Sequence, residues 1–76
     1  MNTRSPSPPS LPEWLHEGAR VFDPGTDREA IVQFIGEWED PNTRRRYRRA
    51  VFLRPERGGR EWVVENPGVL REAPGR

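Results

Sequence analysis

The chain predicts an all-β fold, a small five-stranded barrel, and three observations carry the prediction. Its apolar segments are short, falling at residues 19–23, 29–38, 46–54, 60–65 and 69–71. Turn chemistry separates them: Pro24-Gly25, Asp40-Pro41-Asn42, Pro55-Glu56-Arg57-Gly58-Gly59 and Asn66-Pro67-Gly68. No helix-length apolar repeat interrupts the series. Short strands at regular spacing with turn signals between them read as a small barrel or sandwich.

Residues 1–9 form a Pro/Ser-rich arm with too little apolar content to offset the entropy of ordering it, so a disordered arm is expected. Its Ser5-Pro6-Ser7-Pro8-Pro9 stretch has the composition of a polyproline ligand, but a solvated tail is the favoured reading. Ser10 with Glu13 matches a capping box, and Leu11, Trp14 and Leu15 then share one helical face. Gly18 sits where a left-handed residue would end that helix. A helix of one or two turns is too short to stand alone and must dock through Trp14. The ordered domain is expected over residues 10–72, followed by a flexible tail at 73–76.

In the second segment, Ala30, Val32, Phe34, Gly36 and Trp38 share one face by strict alternation, which marks them as core. Gly36 suits a bulge or bend. In the third, Ala50-Val51-Phe52-Leu53 is continuously apolar and implies cover on both faces. Asp40-Pro41-Asn42-Thr43 suits a type I turn, and Gly58-Gly59 supplies positive φ for the next hairpin. Trp62 shares a face with Val64 and is expected inside, since a barrel this small needs its largest side chains there.

Gly18-Ala19-Arg20-Val21-Phe22-Asp23 followed by Ile31-Val32-Gln33-Phe34-Ile35-Gly36 resembles the opening hairpin of SH3-like barrels, KOW-type modules included. The later stretch is similar to a group of short uncharacterised actinobacterial proteins, through Leu53-Arg54-Pro55, Gly58-Gly59-Arg60-Glu61-Trp62, and Pro67 with Leu70-Arg71. The resemblance implies an SH3-like barrel. It implies no activity, and Ala30 stands near where a KOW motif usually has glycine.

Composition narrows the chemistry. With 76 residues and no cysteine, the chain forms one domain with neither disulfide nor thiolate. His16 is its only imidazole, which argues against a zinc site, and no cofactor is expected. No apolar run has the length of a membrane span, so a cytoplasmic protein with no membrane partner is expected. All 13 basic residues are arginine, and 12 acids bring the formal net charge to +1. No global field draws the chain to a polyanion; any attraction is local.

Two places draw functional interest. Arg44, Arg45, Arg46, Arg48 and Arg49 surround Tyr47, a mixture able to hold phosphates and stack a base. Glu37, Glu39 and Asp40 lie across the same hairpin and offer cross-strand partners that would neutralise it. Trp38, at a strand end, suits a protein-binding anchor, or else stacks on Arg46 or Arg48. His16 near Glu13, Glu17 and Asp23 is the nearest approach to an acid–base pair, without nucleophile or phosphate loop around it. An enzyme is not expected. The leading expectation is a protein-binding module, an adaptor or regulator acting through Trp38, Arg46, Tyr47 and Arg48, as a monomer or weak homodimer. The alternative is nucleic-acid binding through Arg44, Arg45, Arg46, Tyr47, Arg48 and Arg49.

Overall fold

The computed structural model describes residues 11–74. The disordered arm expected over residues 1–9, Ser10 of the capping box and the end of the tail lie outside the described residues.

Five antiparallel strands make one sheet: β1 (Arg20–Asp23), β2 (Arg28–Glu39), β3 (Arg46–Pro55), β4 (Trp62–Val64) and β5 (Arg71–Glu72). Their spatial order is β4-β3-β2-β1-β5, a meander whose last strand returns beside the first. A one-turn 3-10 helix, η1 (Pro67–Val69), leads into β5. The all-β expectation holds and the barrel does not: β4 and β5 are the two margins of an open sheet. With three and two residues, they are too short to supply a closing ladder.

The short helix is also corrected. Leu15 N–H donates to Pro12 O, and Ala19 N–H to His16 O, each at 3.0 Å, so the segment is two successive tight turns. So short a segment gains too few i to i−4 bonds to offset nucleation. Its apolar side chains still dock, for Leu15 is buried and Leu11 and Trp14 pack against the core. Gly18 adopts φ +89° and donates to Val32 O at 2.8 Å, which hands the chain to β1.

Two loops share one construction. Asp23-Pro24-Gly25-Thr26-Asp27 joins β1 to β2, and Asp40-Pro41-Asn42-Thr43-Arg44 joins β2 to β3. In each, the aspartate Oδ1 accepts the N–H two residues on, from Gly25 at 3.0 Å and from Asn42 at 2.8 Å. Each aspartate carbonyl also accepts the N–H four residues on, from Asp27 at 2.8 Å and from Arg44 at 2.7 Å. Proline presets φ behind the aspartate, and the fifth residue takes the left-handed conformation, φ 58° at Asp27 and 65° at Arg44.

Register decides which face each side chain meets. Val32 pairs with Leu53, but the next pair is Phe34 with Phe52, so Gln33 is an extra residue in β2. A second irregularity lies between Gly36–Ala50 and Trp38–Tyr47, where β3 carries the extra residue. Each bulge resets the alternation. The single-face set Ala30, Val32, Phe34, Gly36, Trp38 is therefore split. Ala30 and Val32 point inward, and beyond the bulge the inward position passes to Ile35, paired with Val51. Phe34, Gly36 and Trp38 face out. The same resetting puts Tyr47 and Ala50 on one face of β3, against strict alternation there.

The inner face is aliphatic. Val21, Ala30, Val32, Val51, Leu53 and Val64 cluster with Leu15 and Leu70, and all are buried. Full burial of a valine or leucine side chain is worth about 1.5–3 kcal/mol. Trp62 joins this core at its rim rather than its centre. Its Nε1–H donates to Asp23 Oδ2 at 2.8 Å, while the Arg28 guanidinium lies 4.7 Å from the ring centre. The margin strand β4 is thereby tied to the β1–β2 loop across the inner face. Asp23 Oδ2 also accepts from Thr26 Oγ1 at 3.1 Å, and the residue is only 4% exposed.

Candidate docking surface

The outer face of the β2–β3 ribbon carries Phe34 and Trp38, which strict alternation places with the core set, and Phe52 and Tyr47 beside them. Phe34 stands opposite Phe52, and Trp38 opposite Tyr47. The rings form a continuous ladder. Phe34 meets Phe52 edge-on at 5.7 Å, Phe52 meets Trp38 edge-on at 6.5 Å, and Trp38 stacks on Tyr47 at 5.9 Å with 20° between planes. Ala50 is fully buried yet outside the inner cluster, because it faces this ladder opposite Gly36.

Phe34 is 46% exposed, and its ring lies over Gly36. A Cβ at Gly36 would come within 2.6 Å of Phe34 Cε2 and Cζ. Glycine thus lets the ring lie flat on the strand. Gly36→Ala should swing Phe34 away from Phe52 and lower stability by about 1 kcal/mol, the loss of one aromatic pair. Phe34–Phe52 ring contacts in the NMR spectrum check this; unchanged contacts would refute the account of the glycine.

Ribbon geometry explains why the rings are so placed. β1 runs beside β2 only through residues 28–31, and β4 beside β3 only through residues 51–53. The distal part of the hairpin is therefore two strands wide. With no second layer there among the described residues, the rings cover one another.

The arginines disperse. Arg46 lies opposite Glu39 with a single contact of 3.8 Å, both side chains largely exposed, a pair worth at most about 1 kcal/mol. Asp40 is engaged in the loop, so the expected three-acid neutralisation reduces to that one pair and the partner held by Arg49 among the described residues. Arg44 forms the left-handed corner of the loop, and Arg45 and Arg48 are exposed. Trp38 stacks on Tyr47, not on Arg46 or Arg48, and the guanidinium–indole contact goes to Trp62 from Arg28. A shallow depression of about 240 Å³ at the ribbon is lined by Glu37, Trp38, Glu39 and Arg46. Of the proposed partner-binding residues, Trp38 and Tyr47 are together, Arg46 borders them on the other face, and Arg48 falls at the second bulge. Phe34 and Phe52 are additional outer-face residues: the bulge at Gln33 turns Phe34 outward, and Phe52 lies outward between the inward Val51 and Leu53.

The acid–base candidates separate from any cleft. His16 is exposed, with Nδ1 on its neighbour Glu17 O at 3.0 Å, and the Asp23 carboxylate is occupied by Gly25, Thr26 and Trp62. Among the described residues no group of three His, Cys, Asp or Glu could hold a metal ion, and no helix is long and apolar enough to cross a membrane. No family model matches the chain, and no similar curated protein or solved structure is found.

Proposed function

We propose that the chain is a non-enzymatic protein-binding module that docks its partner on the outer face of the β2–β3 ribbon. The observation that carries the reading is the outward-facing ladder of an exposed Phe34 with half-buried Phe52, Trp38 and Tyr47, held by a strand pair and not by the hydrophobic core. Exposed contiguous apolar surface on a small domain marks an interaction site. Tryptophan, tyrosine and arginine are also the residues that dominate protein interfaces when water is excluded around them.

Nucleic acid fits the ladder less well. Glu37 and Glu39 line the depression beside Trp38, where a phosphate chain would pass. A polyanion contacting several arginines also loses affinity steeply with salt, which an aromatic-centred protein interface does not.

A benzophenone side chain at Gln33 should capture the partner, which is then purified and titrated against the intact protein. Trp38→Ala should weaken that complex by about 2 kcal/mol, roughly thirty-fold, while the circular dichroism spectrum is retained. Equal affinity of the folded variant would remove the ladder as the docking surface. Salt-sensitive shifts over residues 38–49 with single-stranded oligonucleotide, and none with the captured protein, would replace the reading with nucleic-acid binding.

A further inference from the structure

β3 outruns its neighbour. The last β3–β4 pair is Val51 with Val64, after which β4 stops while β3 continues back to Arg46. The departure is built in. Asn66 Oδ1 accepts Gly68 N–H at 2.9 Å, Pro67 lacks an N–H for a ladder, and Leu70 then tucks into the inner core. Residues 46–50 therefore border β2 on one side, through Arg46, Tyr47 and Ala50, and no described strand lies on the other. An added strand there would extend the line of β4 without displacing it.

Among the described residues the ribbon has a second unpaired margin, on β2 beyond β1, and the two differ in charge. The β2 margin bears Glu37 and Glu39, whereas the β3 margin bears Arg46, Arg48 and Arg49 with Arg45 just before it. An acidic strand is repelled by the first and drawn to the second. Alternation adds a second requirement. Arg46 and Tyr47 point to opposite faces, so an incoming strand meets a guanidinium on one face and the aromatic ladder on the other.

A second copy of this chain does not meet these conditions. Two-fold pairing of β3 with β3 sets arginine against arginine, and β2 with β2 sets glutamate against glutamate. Joining β2 to the β3 of an identically oriented copy drives the flanking β1 and β4 into one another.

We propose that the vacant margin of β3 over residues 46–50 accepts an extended acidic segment of the partner, with acidic and apolar residues alternating, as an added strand. The inference rests on the protein-docking reading and specifies its mode: backbone pairing provides affinity and the alternate side chains provide selection. The β3 margin is the acceptor and the β2 margin is not.

The test uses the isotopically labelled full chain and an octapeptide of alternating valine and glutamate. Two versions of the peptide carry N-methyl groups on alternate residues, one in each frame. Binding should slow hydrogen exchange of those amides within residues 46–50 that point away from β2. N-methylation in one frame should weaken binding about tenfold or more, and in the other frame far less, because only one set of N–H groups faces β3. Arg45→Glu with Arg48→Glu should also weaken binding about tenfold or more, while Glu37→Lys should not, both variants being checked for fold by circular dichroism. If both N-methylated peptides bind like the parent, strand addition is overturned and side-chain docking on the ladder stands. Protection over residues 34–39 instead would overturn the choice of margin. If the peptide does not bind at millimolar concentration, the strand-addition proposal fails, and Trp38→Ala with the captured partner still judges the docking surface. A single-stranded oligonucleotide protecting the same amides more strongly than the peptide overturns both readings.

Discussion

Asp23→Ala is expected to cost about 3 kcal/mol of folding stability, enough to unfold a large part of a domain this small. One carboxylate accepts from Gly25 N–H, Thr26 Oγ1 and Trp62 Nε1–H, at 3.0, 3.1 and 2.8 Å. Alanine leaves these donors without their acceptor, and the indole N–H sits at a rim where water must replace it. The loss also reaches further than the loop. Trp62 belongs to β4, 39 residues away, so the hydrogen bond fastens a margin strand of three residues to the rest of the sheet. Urea denaturation of Asp23→Ala, Asp23→Asn and Trp62→Phe measures the effect. Asparagine keeps one acceptor oxygen and Trp62→Phe removes one donor, so both should fall between wild type and alanine. A loss below about 1 kcal/mol in Asp23→Ala would show that water satisfies these groups equally well.

Leu53→Ala should be comparably damaging, at about 3 kcal/mol. Leu53 is 0% exposed, and it lies between Val32 on β2 and Trp62 on β4. The inner core contains valines, leucines and one alanine, and Trp62, the large side chain beside Leu53, is held at the rim by its hydrogen bond to Asp23. The cavity term is then felt in full. The midpoint of urea unfolding should fall with little change in slope, as for a mutation that alters stability and not the extent of unfolding. A loss near 1 kcal/mol would mean that the sheet closes over the gap, and that its inner face is softer than its packing suggests.

The strands were legible from punctuation. Most apolar segments stop at or beside proline, asparagine or aspartate, and the strands end near the same places, except that Val69 closes a 3-10 helix and β5 begins only at Arg71. The shared Asp-Pro-x-Thr of the two hairpin loops was legible too, since the aspartate oxygen and the proline act within five residues. What local chemistry could not reveal is register. Gln33 bears no mark of an extra residue: its backbone is ordinary, and only the pairing of Val32 with Leu53 and Phe34 with Phe52 exposes it. Gly36, expected at a bulge or bend, borders the second irregularity and also seats Phe34. The tie between Asp23 and Trp62 was invisible for another reason, because side chains so far apart in sequence meet only once the sheet is formed. The candidate surface was half legible. Trp38 and Tyr47 stood out by their place at the hairpin end, whereas Phe34 and Phe52 looked like core.

The extra residue at Gln33 works like a shift of reading frame within one strand. Upstream of it, even-numbered positions write the interior; downstream, even-numbered positions write the exterior, up to Trp38. A substitution in β2 therefore edits a single letter, while loss or gain of one residue near Gln33 exchanges inside and outside for the whole distal ribbon. Drift in length at this point reaches the recognition face more directly than drift in composition.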